Sequence, residues 1–206
     1  MNNITSIFWD LGGVVLTNAW DREQRVRVLN EFNIRTGEEL NEFGDRHREV
    51  AALFESGKFS LQEYLNMTLF GMPQIFTHDQ FKEKMFEQSK SLPGMEVLKQ
   101  VAESGKYFLA SLNNESKELN EHRIRHFDLP NYFGAFFSSC YLNIMKPNPE
   151  IYRAALNISH RKAEECVFID DRSQNVEAAR HCGMHAIHYK DPDQLRVELD
   201  KLNISI

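Results

Sequence analysis

Five polar residues that could carry out chemistry lie at or after the ends of short apolar runs of the sequence. They are Asp10, Ser111, Lys146, Asp170 and Asp171. Apolar runs of about four residues that stop at a polar residue are typical of buried strands. The carboxyl ends of parallel strands meet at one edge of a sheet, where open α/β sheets bind ligands. We therefore expect these side chains to share one crevice, although they are far apart in the sequence.

The expected crevice would collect three carboxylates and one ammonium group. Unit charges about 4 Å apart interact by several kcal/mol at a surface-like dielectric, so the carboxylates need a cation. Oxygen ligands with no histidine or cysteine nearby favour Mg²⁺. Asp10 and Asp171 are the natural carboxylate ligands, and the carbonyl of Gly12 follows closely. The sequence thus predicts a magnesium site at this edge of the sheet.

The same residues predict a phosphoryl-transfer reaction. The hydroxyl of Ser111 and neighbouring amides, including that of Leu112, suit phosphate oxygens, and Lys146 offers a point charge for the same group. With the phosphate charge screened, the free oxygen of Asp10 can attack phosphorus and form an aspartyl-phosphate, which water then hydrolyses. We expect a phosphatase that acts on a small phosphorylated metabolite.

The order of the predicted elements indicates an α/β fold. A strand at residues 7–9 is followed by a helical segment, and then helices alternate with strands at residues 107–110, 135–137, 166–169 and 184–188. This order predicts a doubly wound parallel sheet with a helical cap inserted after the first strand. The predicted core is residues 1–16 and 89–206, and the predicted cap is residues 17–88. Ser60 and Glu63 form a capping box that begins one cap helix.

The amino-acid composition limits the classes of partner that the protein is expected to bind. The chain of 206 residues has 24 Lys and Arg against 30 Asp and Glu, a net charge of −6, and no basic cluster that would follow a nucleic acid backbone. Neither a signal peptide nor a membrane span is expected, and three cysteines without CxxC spacing predict free thiols. We expect a cytoplasmic monomer or homodimer that binds neither membrane nor nucleic acid.

Four motifs resemble those of the haloacid dehalogenase-like hydrolase superfamily, over essentially the whole chain. They are residues 8–14 (FWDLGGV), 110–113 (ASLN), 146–152 (KPNPEIY) and 168–171 (FIDD), the last followed by Asn175. The resemblance implies that Asp10 is the nucleophile, Ser111 a phosphate ligand, Lys146 a charge clamp, and Asp171 a metal ligand supported by Asp170. The cap position resembles that of sugar phosphatases. Residues 54–60 are similar to a cap stretch of the phosphatase half of soluble epoxide hydrolases.

One departure from that pattern concerns proton transfer. Phosphatases of the superfamily usually carry an aspartate two residues after the nucleophile, as general acid and then base, and this chain has Gly12 there. Loss of a positioned acid typically costs about 10²–10⁴ in rate. We therefore expect the best substrates to have leaving groups that need little protonation, such as anomeric sugar phosphates or aryl phosphates. His47 of the cap could in principle replace the acid. Leu112 is a second departure, because asparagine often follows the motif serine.

Two other functions fit part of the pattern. A 2-haloacid dehalogenase would use the same Asp10 nucleophile without needing an acid, but a metal-free dehalogenase has no use for the pair Asp170 and Asp171. A regulatory module that binds a phosphorylated ligand without turnover would also explain Gly12.

Overall fold

A computed structural model describes residues 3–71 and 73–205. In these residues one parallel sheet has five strands in the order β3-β2-β1-β4-β5. The strands are β1 (Ser6–Trp9), β2 (Phe108–Asn113), β3 (Ala135–Ser138), β4 (Cys166–Asp170) and β5 (His185–His188). The predicted α/β fold with a parallel sheet is confirmed.

The central strand β1 determines where the polar residues meet. All four of its residues are buried, as expected for a strand covered on both faces. Trp9 pairs with Ser111 of β2 and with Ile169 of β4, so these three strands end close together. The amide of Asp10 donates a hydrogen bond of 2.8 Å to the carbonyl of Ile169, which joins the end of β1 to the end of β4.

Strand β2 is longer than the sequence predicts. The predicted strand ends at Ala110, but β2 continues to Asn113, which pairs with Ser138 of β3. The polar side chains do not end the strand because they bond to one another: Ser111 Oγ donates to Asn113 Oδ1 at 3.2 Å, and Asn113 Nδ2 donates to Asn120 Oδ1 at 3.0 Å. Buried polar groups with such partners are compatible with a sheet interior.

Four helices follow β1 before the next core element. They are α1 (Arg22–Glu31), α2 (Gly37–Glu55), α3 (Leu61–Thr68) and α4 (His78–Phe86). The capping box at Ser60 is confirmed, and equivalent boxes at Thr36 and Thr77 begin α2 and α4. These helices pack around an apolar cluster of their own that includes Phe54, Tyr64 and Phe81.

The segments that enter and leave this helical insertion are bonded to each other. Thr17 Oγ1 donates to the carbonyl of Gln88 at 2.7 Å, and its amide donates to the carbonyl of Lys90 at 2.8 Å. Leu16 forms an antiparallel bridge with Ser91. The domain division at residues 16/17 and 88/89 stays a prediction, and its outer limits, residues 1 and 206, lie outside the described residues.

The remaining helices cover both faces of the sheet. They are α5 (Gly94–Glu103), α6 (Lys117–His126), α7 (Ser139–Leu142), α8 (Pro149–Ser159), α9 (Ser173–His181) and α10 (Pro192–Lys201). Asn148 caps α8 by accepting from the amide of Glu150 at 3.0 Å. All three cysteines are free. Within the described part of the chain, no helix has the length and apolar character needed to cross a membrane.

Candidate active site

Lys146 lies at the centre of the cluster at the carboxyl edge of the sheet. Its Nζ is 2.9 Å from Asp10 Oδ1 and 2.6 Å from Asp170 Oδ2, and its side chain is 1% exposed. Asn114, just after β2, fixes the backbone of Lys146: its Oδ1 accepts from the Lys146 amide at 2.8 Å, and its Nδ2 donates to the Lys146 carbonyl at 2.9 Å. One buried ammonium group therefore joins carboxylates from two strand ends.

Asp170 is fully enclosed, and both of its carboxylate oxygens accept hydrogen bonds. Oδ2 accepts from Lys146, Oδ1 accepts from the amide of Arg172 at 2.8 Å, and Asn175 Nδ2 lies 3.0 and 3.1 Å from the two oxygens. Such a carboxylate orients its neighbours and has little free capacity for a further ligand.

Asp10 and Asp171 have more free capacity. Carboxylate oxygens of Asp10, Asp170 and Asp171 lie within 4.8 Å of one another, which makes this cluster a possible metal site. Asp171 Oδ1 is buried and has no hydrogen-bond partner in the described residues. A buried, unpartnered carboxylate oxygen is costly unless a cation or a donor satisfies it. The oxygen donor set is the kind that hard divalent cations prefer.

Burial raises the pKa values of the two acids that have free carboxylate oxygens, Asp10 and Asp171. Burial raises the pKa of Asp10 to about 7, with Lys146 opposing the shift and Asp170 and Asp171 reinforcing it. Burial and the charge of Asp170 also raise the pKa of Asp171. Burial acts to lower the pKa of Lys146, but the two carboxylates beside it outweigh that effect and raise it. The cluster thus has an excess of negative charge, and a divalent cation would keep Asp10 ionised.

A cavity of about 110 Å³ opens onto this cluster. The sheet edge contributes Asp10, Gly12 and Lys146 to its wall, and the helical insertion contributes Trp20 and Glu55. The rest of its wall is polar or charged apart from one alanine: Asn18, Ala19, Asp21, Asn114, Glu115, Arg123, Arg172 and Asn175. Its size and polarity suit a small, charged ligand.

The structure brings together most of the residues that the sequence singled out for binding the metal or the phosphate, with two exceptions. Asp10, Gly12, Lys146, Asp170 and Asp171 meet at the cluster or the cavity.

The exceptions are Ser111 and Leu112, which do not line the cavity and are fully buried. Because Trp9 pairs with Ser111, the β2 residue level with Asp10 is Leu112, and its side chain packs in an apolar cluster with Phe8 and Phe137. Neighbouring strand residues point to opposite faces of the sheet, so Ser111 lies on the face opposite to Leu112. There its hydroxyl donates a hydrogen bond to Asn113 Oδ1.

His47 also lies away from the cavity. It is 8% exposed, and its Nδ1 is 2.9 Å from the hydroxyl of Tyr64 inside the helical insertion. The structure therefore does not support His47 as a replacement acid.

Sequence reasoning missed several cavity residues. Asn114 directly follows β2 and would have been found had that strand been extended. Glu115 and Arg123 form a buried ion pair at 2.7 Å, and Arg123 Nη2 also donates to the carbonyl of Thr17 at 2.8 Å. An arginine in the middle of a polar helix gives no sequence signal of such burial.

Comparison with known proteins decides the family. A family model described as haloacid dehalogenase-like hydrolase matches residues 4–183. The chain belongs to this family. Membership of this family confirms the resemblance that the four motifs indicated. It also establishes this haloacid dehalogenase-like hydrolase as an enzyme.

Known relatives of this hydrolase include proteins named as hydrolases and proteins named as phosphatases. The chloroplast flavin mononucleotide hydrolase 1 of Arabidopsis thaliana is 28% identical over 163 residues, which cover 78% of this chain and 65% of that protein. The bifunctional epoxide hydrolase 2 of Rattus norvegicus is 35% identical over 75 residues, which cover 36% of this chain and 14% of that protein. The chain thus spans less than two thirds of either relative.

A solved structure shares the fold. The HAD family enzyme from Bacteroides thetaiotaomicron, in complex with magnesium and inorganic phosphate, matches with a TM-score of 0.78 and 20% identity. The match covers 92% of this chain and 96% of that one.

Proposed function

We propose that this hydrolase is a Mg²⁺-dependent phosphatase that acts on a small phosphomonoester, with a sugar phosphate as the favoured class. The observation that carries the proposal is the position of Lys146, whose Nζ contacts Asp10 and Asp170. Beside them, one carboxylate oxygen of Asp171 has no hydrogen-bond partner in the part of the chain that the structure describes. A nucleophile, a fixed positive charge and a cation site thus adjoin one small cavity.

The residues present fit a magnesium ion. Asp10, Asp171 and the carbonyl of Gly12 would hold it, and Asp170 would act through its bonds to Lys146 and Asn175. When bound, the ion supplies positive charge that offsets the carboxylates and the substrate phosphate.

The proposed reaction begins with Asp10. Its free carboxylate oxygen bonds to phosphorus as the ester oxygen leaves, and this forms an aspartyl-phosphate. Lys146 and Arg172 supply positive charge for the phosphate oxygens at the cavity wall. Water then attacks phosphorus and releases inorganic phosphate. The phosphate-binding roles of Ser111 and of the Leu112 amide remain predictions, and their buried positions do not favour them.

The cavity wall supports a polar substrate. Asn18, Asp21 and Asn114 can exchange hydrogen bonds with hydroxyl groups, which suits a sugar better than an apolar alcohol. The Arabidopsis relative is named for hydrolysis of flavin mononucleotide, itself a phosphomonoester. Trp20 and Glu55 come from the insertion, so we also propose that residues 17–88 act as a cap that selects the substrate.

Hydrolysis of p-nitrophenyl phosphate by the wild type and by D10N, with Mg²⁺ or with excess EDTA, tests the proposal. We expect activity that EDTA abolishes, that Mg²⁺ restores, and that D10N lacks. The exposed ion pair of Lys82 and Asp79 provides a control, because D79N should behave as the wild type does.

Three results would contradict the proposal. Tight phosphate binding without turnover would favour a binding module. Halide release from 2-chloropropionate in the presence of EDTA would favour a dehalogenase. Full activity of D10N would exclude Asp10 as the nucleophile.

A further inference from the structure

The cavity has no acid at Gly12, and Asn18 fills the space beside it. A Cβ atom on Gly12 would lie 2.4 Å from Asn18 Oδ1, so the amide of Asn18 covers the position that a longer side chain would occupy. An amide does not titrate near neutral pH and cannot give up a proton to a leaving group. Any proton donor must therefore come from another part of the cavity wall.

Three carboxylates besides Asp10 line the cavity, and two of them are already committed. Glu115 uses one oxygen for Arg123 at 2.7 Å and the other for the amide of Ser116 at 3.0 Å. Asp21 lies 3.5 Å from Arg172, and its side chain is 49% exposed. The side chain of Glu55 has no hydrogen bond or ion pair among residues 3–71 and 73–205.

The backbone at Glu55 is fixed against the sheet. Glu55 is the last residue of α2, and its carbonyl accepts from Ser139 Oγ at 2.5 Å, at the start of α7 directly after β3. Gly57 has a φ of +72° and lies against the backbone of Cys140, where a Cβ atom would be 2.3 Å from the carbonyl oxygen. On the other side, Phe54 stacks on Tyr64 with ring centroids 4.1 Å apart. The carboxyl group of Glu55 therefore faces the cavity from an anchored helix end.

The surroundings of Glu55 favour its protonated form. Burial raises its pKa to about 7, and the nearby charges of Glu115 and Asp21 add to the effect, while Arg172 and Arg25 oppose it. The other charged groups on the cavity wall are Asp10, Lys146 and Arg123. The negative end of the α2 dipole acts in the same direction as burial. A carboxyl group of this kind can exchange a proton near neutral pH.

We propose that Glu55, from the helical insertion, is the general acid and base of the reaction and supplies the proton that no side chain at Gly12 can supply. This inference rests on the phosphatase function proposed above. In the first step the bond from Asp10 to phosphorus forms, the bond from phosphorus to the ester oxygen breaks, and the proton of Glu55 moves to that oxygen to give the alcohol. In the second step the Glu55 carboxylate takes a proton from water as the water oxygen bonds to phosphorus. The bond to Asp10 then breaks, and phosphate, the Asp10 carboxylate and protonated Glu55 result.

Two substrates with different leaving groups test the role of Glu55. The p-nitrophenolate group leaves without protonation, whereas the benzyl alcohol of benzyl phosphate requires a proton. We expect E55Q to lower kcat/KM for benzyl phosphate by about 10²–10⁴ and for p-nitrophenyl phosphate by less than about tenfold. Because hydrolysis of the aspartyl-phosphate also needs the base, E55Q should release a burst of p-nitrophenolate equal to the enzyme concentration and then turn over slowly.

The pH profile provides a readout that a structural role would not change. Relative to p-nitrophenyl phosphate, wild-type kcat/KM for benzyl phosphate should fall as the pH rises through about 7, where Glu55 loses its proton. For E55Q, the relative kcat/KM for benzyl phosphate should not fall over this pH range. E49Q, on the exposed face of the same helix, is the matched control. It should retain the wild-type rates for both substrates and the same fall in relative kcat/KM as the pH rises.

Equal effects of E55Q on the two substrates, or no effect on either, would overturn the role of Glu55 and leave the phosphatase function standing. A wild type that hydrolyses neither substrate with Mg²⁺ would overturn the proposed function and this inference with it. Circular dichroism verifies the fold of E55Q. If E55Q does not fold, E55D provides the same comparison, because its shorter side chain should slow benzyl phosphate selectively and no selective loss would overturn the role.

Discussion

Gly13 and Asp171 are in direct contact across the ends of β1 and β4. A Cβ atom on Gly13 would lie 2.2 Å from Asp171 Oδ2, and Gly13 also has a φ of +74°. Two independent constraints therefore require glycine: the left-handed backbone conformation and the space that the carboxylate occupies. The turn after Asp10, the proposed nucleophile, and Asp171, the proposed metal ligand, thus determine each other's position.

Replacement of Gly13 by alanine should destabilise the fold and displace Asp171. The left-handed conformation alone costs a residue with a Cβ atom roughly 1–2 kcal/mol, and the collision adds to this. Urea unfolding measures the loss. G37A is the control, since Gly37 begins α2 with open space around it and alanine there should be neutral or stabilising. Equal stability of G13A and the wild type would show that Asp171 does not lie against Gly13.

Replacement of Lys146 by methionine should leave Asp10 and Asp170 buried without their counter-charge. Removal of one partner of a buried ion pair costs about 3–5 kcal/mol. We expect K146M to lose that order of stability, and K146M/D170N to regain part of it because one of the two unpaired carboxylates is gone. Chemical denaturation of the three proteins measures both effects. The exposed pair of Lys82 and Asp79 provides the contrast, since K82A should cost no more than about 1 kcal/mol. A K146M protein as stable as K82A would contradict the burial of this charge.

An aspartate at position 12 should be accommodated only when Asn18 is shortened. Because a Cβ atom there would lie 2.4 Å from Asn18 Oδ1, we expect G12D to lose about 1–3 kcal/mol from overpacking. G12D/N18A should recover most of this stability. If the new carboxylate reaches the leaving group, the double variant should also hydrolyse benzyl phosphate at least about tenfold faster than N18A. Thermal unfolding and substrate kinetics measure the two effects, and full stability of G12D alone would contradict the position of Asn18.

His47 should make the protein sensitive to acid. Burial lowers the pKa of His47 to about 4, and the charges of Arg25 and Arg48 contribute. Because the pKa is lower in the folded than in the unfolded chain, the contribution to stability is complete above about pH 6.5. It is lost as the pH falls towards 4, by roughly 3 kcal/mol at most.

The matched comparison for His47 is the unfolding free energy of wild type, H47Q and H181Q at pH 7.5 and 4.5. H47Q should lose less stability on acidification than the wild type, whereas H181Q, which changes an exposed residue at the end of α9, should lose as much as the wild type does. Identical losses in wild type and H47Q would show that His47 does not remain neutral in the folded protein.

The sequence predicts the part of the site that depends on strand ends. An apolar run that stops at a carboxylate marks Asp10 and Asp170, and the parallel topology then brings Lys146 to both of them. At Ser111 the polar pattern of β2 reflects side chains that bond inside the structure and does not mark a strand end, so the phosphate-binding role of this residue stays a prediction.

The sequence by itself determined the α/β fold and the residues that meet at the sheet edge, because strand periodicity and the order of elements are local properties of the chain. It indicated the family through the resemblance of four short motifs. Only the tertiary structure decided that Asn18 covers Gly12, that Leu112 rather than Ser111 is level with Asp10, and that Glu55 faces the cavity. These features depend on strand register and on how the helical insertion packs against the sheet, which are set by contacts between residues far apart in the sequence.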